Sequence, residues 1–174
     1  VVPDETIHFG VGQPGESVLP VDLMREASEH CLTRGDSLML NYGPEQGDGP
    51  FLEALASFLE PAYGYPIDPL SLMVTGGASH GLDIISTFFT NPGDTVIVEE
   101  PTYFLAHRIF RDYGLKIVSV PVDDKGMIVE ALEEQVSIHQ PRLVYTIPVY
   151  QNPTGYTLSP SRRKRLVELS QTYD

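Results

Sequence analysis

From residue 70 onward the chain alternates two hydrophobic rhythms. Short β-branched runs predict strands over 71–75, 95–99, 116–120 and 143–147. Between and after them, apolar residues at helical spacing predict helices over 78–89, 103–113, 128–137 and 160–172. Strand and helix in regular alternation imply an α/β fold of three layers, α/β/α, with a mainly parallel sheet and right-handed crossovers. Asn91-Pro92-Gly93-Asp94 and Asp123-Asp124-Lys125-Gly126 punctuate this as turns. Upstream, a helix is expected over 21–32, with Leu23, Ala27, His30 and Cys31 along one side. A second is expected over 50–58, with Pro50 in its first turn and the stretch Pro61 to Pro69 breaking it. Residues 1–20 are extended and rich in turn formers, and 37–49 form a loop that carries Tyr42. The expected division is an arm with the first helix, 1–40, and an α/β region, 41–174. The alternation stops after a helix where a strand should follow, so the sheet is expected to be incomplete at the C-terminus, with an open edge and poor solubility for the isolated chain.

Composition narrows the function. The 174 residues suffice for one core, burying roughly 70% of the unfolded surface in a complete domain. A net charge of −13 repels phosphate backbones and argues against nucleic acid as a partner. Arg162-Arg163-Lys164-Arg165 is the basic exception, and its residues fan around a helix as solvated surface. No apolar run approaches the ~20 residues of a membrane span, and no basic-then-apolar leader opens the chain. No membrane partner and a cytoplasmic location are therefore expected. Cys31 has no disulfide partner and reads as a small buried hydrophobe. The histidines lack metal-ligand spacing, so no metal site is expected.

The chemistry gathers at strand-to-helix junctions, where open α/β sheets bind ligands. In Val74-Thr75-Gly76-Gly77-Ala78-Ser79, glycines permit close backbone approach, Ser79 offers a hydroxyl, and the next helix aims free N–H groups outward. This suits a phosphate, or simply an N-capped turn. It is neither a P-loop nor a G-x-G-x-x-G fingerprint. At Glu99-Glu100-Pro101-Thr102-Tyr103 an aromatic ring follows a strand and can cover a flat ligand or pack on its own helix. At Asn152-Pro153-Thr154-Gly155, Pro153 biases Asn152 to extended backbone and Gly155 allows a sharp turn. That holds an amide in a fixed direction, or marks an ordinary turn. Together these junctions describe a pocket for a planar, phosphorylated heteroaromatic. Glycines 10, 12 and 15 with Pro14 suggest a further close backbone approach, or a flexible arm.

The runs FGVGQP (9–14), NYGPEQG (41–47), VTGGASHGLD (74–83), NPGDTVIVEEPTY (91–103) and VYQNPTG (149–155), in this order, resemble the N-terminal half of class I/II, fold type I aminotransferases. The likeness extends to the branch that contains 2-aminoadipate and kynurenine aminotransferases. The resemblance implies the fold type I large domain and pyridoxal 5'-phosphate (PLP) as cofactor. It implies that Gly77, Ala78 and Ser79 hold the cofactor phosphate, that Tyr103 stacks on the pyridine ring, and that Asn152 bonds its phenolic oxygen. It further implies that Gly12 lies near the substrate carboxylate and that Tyr42 reaches the phosphate of a neighbouring subunit in a homodimer. His80 stands where the family usually has Gln or Glu and is assigned no role. The implied reaction moves an amino group between an amino acid and a 2-oxo acid. The family's Schiff-base lysine has no counterpart among Lys116, Lys125 and Lys164, so the chain alone is expected to be inactive. A PLP lyase or synthase of the same fold, or the aminotransferase-like domain of a MocR-type transcription regulator, would share these runs.

Overall fold

A computed structural model describes residue 12 and residues 14–173. The chain divides into two compact units, Val1–Met73 and Val74–Asp174.

The first unit holds helices α1 (Val21–Thr33) and α2 (Gly49–Tyr63) with short 3-10 turns at Glu16–Val18, Ser37–Leu40 and Pro69–Ser71. α2 starts where the Asp48 carboxylate accepts from the Phe51 N–H at 3.0 Å, and it buries Leu52 and Ala56. The break falls within the expected stretch 61–69, but not at its first proline. Pro61 lies inside the last turn, and the helix ends instead at Gly64, whose φ of 74° is the left-handed C-cap geometry. The proline forfeits one intrahelical hydrogen bond without stopping the helix two residues from its natural end. Cys31 is exposed rather than buried, because α1 buries none of its residues.

The second unit contains α3 (Ala78–Phe89), α4 (Phe104–Asp112), α5 (Val129–His139) and α6 (Pro160–Tyr173). Its strands are β1 (Thr95–Glu100), β2 (Lys116–Asp123), β3 (Gly126–Met127) and β4 (Leu143–Tyr145), in the sheet order β3-β2-β1-β4. β1 pairs in parallel with β2 and with β4, and only β3 runs antiparallel. The period-2 alternation of β1 divides the core. Val96 and Val98 face Ala106 and Phe110 of α4, while Ile97 faces Leu132 and Val136 of α5 and Leu169 of α6. The fold is thus the expected α/β, with helices on both faces of a mainly parallel sheet.

Two expectations are corrected here, the strand over 71–75 and part of the basic cluster. Residues 71–75 do not form a strand. Leu72 has extended backbone (φ −97°, ψ 146°), but a strand needs a ladder partner, and none of the four strands pairs with this segment. The turn expected at 123–126 is present and folds β3 back onto β2 as a hairpin. The basic cluster is solvated in part: Arg163, Lys164 and Arg165 are exposed as expected, whereas Arg162 is half-buried, and three of the four arginine and lysine residues are tied down. Arg162 makes a two-pronged ion pair with Asp123 and also donates to the Gly126 carbonyl at 2.9 Å, Arg163 donates to the Leu158 carbonyl at 2.8 Å, and Arg165 binds Glu133 of α5 at 2.7 Å. These bonds lock α6 to the β2–β3 hairpin and to α5.

Gly126 is the tight point of that lock: with φ of 88°, a Cβ there would come within 2.8 Å of the Leu158 Cα. Gly126→Ala is expected to destabilise the fold by more than about 2 kcal/mol in urea unfolding, and a change under about 0.5 kcal/mol would contradict this packing. Arg162, and after it the Lys125 N–H, hold the Asp123 carboxyl down from 3.8 to about 2. As pH falls, the unfolded chain takes up this proton first. The stabilisation is therefore complete above pH 3.8 and is lost as pH drops toward about 2. Acid unfolding of wild type should show a component in this window that Asp123→Asn lacks, and identical curves would refute it.

Candidate functional site

β1 and β4 lie side by side and parallel, with Val98 opposite Tyr145, so their C-terminal ends open on the same edge. Beyond β1, Tyr103 caps α4 in extended conformation (φ −64°, ψ 118°) rather than starting it. Its half-buried ring packs on the Val96–Phe110 core cluster and meets Phe104 edge-on, with ring centroids 5.3 Å apart.

β4 stops at Tyr145, earlier than the expected Ile147. The cause is Glu99, whose carboxylate is 1% exposed. It accepts from the Thr146 hydroxyl at 2.7 Å and from the Ile147 N–H at 3.1 Å, so the chain leaves the ladder for this side chain. A third donor is the Gln151 amide, 3.2 Å from Glu99 Oε2. The same Gln151 nitrogen donates to the Pro101 carbonyl at 2.7 Å, while Gln151 Oε1 accepts from the Thr154 N–H and hydroxyl. Gly155, at φ 75°, closes the turn, and its N–H bonds the Gln151 carbonyl. Asn152 stands between these fixed points with its side chain exposed and without a hydrogen-bond partner among the described residues. Burial, then the charge of Glu99 and the neighbouring Tyr103, push the Tyr145 phenol above its ordinary value of 10.0.

The third junction is the head of α3. Gly77 precedes it at φ 87°, with open space where a Cβ would stand. Among the described residues nothing accepts from the N–H groups of Gly77, Ala78 and Ser79. Such orphan donors at the positive end of a helix dipole form a site for an anion. α3 lies on the same face of the sheet as α4: Leu82 packs on the cluster that holds Tyr103, and the Tyr113 hydroxyl donates to Asp83 at 2.7 Å. Tyr103 and Asn152 are thus joined through Gln151, and the head of α3 with its free N–H donors belongs to the same unit. Gly12 and Tyr42 belong to the other unit. Both are exposed, Tyr42 completely. The rest of the 9–14 run, save Pro14, lies outside the described residues.

The family model described as Aminotransferase class I and II matches residues 4–174. The chain belongs to this family. It is 38% identical to aromatic-amino-acid aminotransferase 1 of Thermococcus litoralis over 98% of this chain and 42% of that protein. It is 30% identical to 2-aminoadipate transaminase of Thermus thermophilus over 94% of this chain and 40% of that protein. Among solved structures, a Pyrococcus horikoshii kynurenine aminotransferase in complex with PMP superposes with a TM-score of 0.84 at 36% identity, covering 94% of this chain and 42% of that one. The chain therefore spans less than half the length of the aminotransferases it matches.

Three residues of this site escape sequence reasoning. Glu99 hides in the run TVIVEE, where a buried carboxylate looks like the end of a strand, and Gln151 sits beside the more conspicuous Asn-Pro. The third is His80, whose Nδ1 accepts from the Gly76 N–H at 2.9 Å and so braces the glycine turn. Its only sequence signal is the four-residue spacing. His80→Ala should cost about 1 kcal/mol and speed amide exchange at Gly76. An unchanged exchange rate there would contradict the brace.

Proposed function

We propose that this chain forms the cofactor-holding part of a PLP-dependent aminotransferase, which moves an amino group between an amino acid and a 2-oxo acid. The observation that carries this reading is the head of α3: three consecutive N–H groups with no acceptor beside a glycine that leaves open space. These donors fit a phosphate. The exposed, unpartnered Asn152 amide and the Tyr103 ring at the adjoining strand ends fit the phenolic oxygen and the flat pyridine of the same molecule. When bound, PLP supplies an electron sink for bond cleavage at the amino acid's α-carbon.

The chain's own residues bind and orient. Gly77, Ala78 and Ser79 neutralise phosphate charge through N–H groups and the Ser79 hydroxyl, helped by the α3 dipole. Tyr103 holds the ring plane. Asn152 donates to the phenolic oxygen, a charge-assisted bond and therefore a strong one. Gly12 approaches the substrate carboxylate. Tyr42 completes the phosphate site of a second subunit in a homodimer, and its full exposure in the single chain suits that role. Lys116 opens β2, Lys125 sits in the hairpin turn and Lys164 is exposed on α6. None supplies the amine that transamination needs, so this chain alone does not turn over. A cytoplasmic setting fits the single cysteine, as in a reducing compartment, and among the described residues no helix is long and apolar enough to cross a membrane.

Titrating PLP into the protein, expressed at the full length its gene encodes, tests the reading by absorbance. Saturable binding is expected, weakened about tenfold or more by Asn152→Ala. No saturable binding, or an Asn152→Ala variant that binds as wild type does, would overturn it.

A further inference from the structure

The two walls that face the proposed ring come from different strand ends, and a binding site requires that their separation be fixed. Backbone pairing does not fix it: the β1–β4 ladder ends at Val98 and Tyr145. Beyond that point, the bonds between the two segments centre on two side chains, Glu99 and Gln151, which are 1% and 2% exposed.

Glu99, on β1, accepts three donors from the β4 segment: the Thr146 hydroxyl, the Ile147 N–H and the Gln151 amide. Gln151, on the β4 segment, returns a bond to the Pro101 carbonyl, two residues before Tyr103. With its oxygen it holds Thr154, two residues after Asn152. Every polar atom of the Gln151 amide is therefore engaged, and its orientation follows from the pattern of donors and acceptors around it. A carboxylate can only accept, so Glu99 must face the Gln151 nitrogen. That in turn presents the Gln151 oxygen to Thr154.

We propose that Glu99 and Gln151 are positioning residues for the cofactor site, a buried clasp that sets the Tyr103 wall against the Asn152 wall. The inference rests on the PLP reading above. Neither residue touches the cofactor. Replacing Glu99 by Gln leaves one oxygen for the Ile147 N–H and the Gln151 amide, turns an N–H toward the Thr146 hydroxyl, which can accept, and removes the charge that strengthens all three bonds, so the Asn152 turn is held less firmly against Tyr103. Replacing Gln151 by Glu sets two carboxylates together and removes the bond to Pro101. Exchanging both restores one amide–carboxylate bond between positions 99 and 151, with its direction reversed.

The test is made on the protein at the full length its gene encodes. It reads the PLP dissociation constant and the induced circular dichroism of PLP at saturation, which reports how the ring is held. Glu99→Gln and Gln151→Glu should each weaken binding about tenfold and alter the induced band, and the double exchange should recover part of what Gln151→Glu loses. Leu169→Ala, in the core cluster on the other face of the sheet, should lower the melting temperature while leaving affinity and band unchanged. If Glu99→Gln behaves like Leu169→Ala, the residue is merely structural and the clasp is refuted. Should Glu99→Gln not fold, Gln151→Met removes the same link from its neutral side: an altered band supports the clasp, and a wild-type band with wild-type affinity refutes it. A wild-type protein that binds no PLP brings down the cofactor reading and the clasp together, whereas normal wild-type binding with unaffected variants brings down the clasp alone.

Discussion

Burying a carboxylate is expensive unless donors replace the water it loses. Glu99 meets that demand at the end of the central strand, and the answer shapes everything around it. To reach Glu99, Thr146 and Ile147 leave the β ladder, which ends β4 and opens the loop that carries Asn152. To reach it from the other side, Gln151 turns inward and is buried beside an exposed Asn152. A single desolvated charge thus ends a strand, starts a loop and decides which of two neighbouring amides faces solvent. Hydrogen bonds to such a group are strong, and its partners are costly to remove because the charge would remain without them.

This arrangement accounts for the division of labour between the layers. The sheet and its two core clusters hold the β1 and β4 ends at one edge. The lock between α6, α5 and the β2–β3 hairpin secures the far face through Arg162 and Arg165. Rigid elements therefore carry loops whose exposed groups, the α3 N–H donors and the Asn152 amide, are left free of internal partners. Family membership and this pattern of unspent donors both support the proposed reading.

Periodicity made most of the second unit legible in the sequence. The expected helix over 78–89 is α3 to the residue, and β1, β2, α4, α5 and α6 fall within a few positions of expectation. What failed was whatever depended on partners distant in sequence. Residues 71–75 have strand-like composition, but pairing is not a local property. Arg162 reads as solvated because its partner Asp123 lies far away along the chain. At the site, glycines and Asn-Pro announce unusual backbone and could be read directly. Glu99, Gln151 and His80 act through contacts that no spacing rule encodes.

The central claim is that the head of α3, the Tyr103 ring and the Asn152 amide face one ligand. A crystal structure of the full-length gene product grown with PLP measures this directly. The account predicts phosphate oxygens on the N–H groups of Gly77, Ala78 and Ser79, the pyridine plane against Tyr103, and the phenolic oxygen within hydrogen-bond reach of Asn152. PLP bound elsewhere, or bound with its phosphate away from the head of α3, would contradict it.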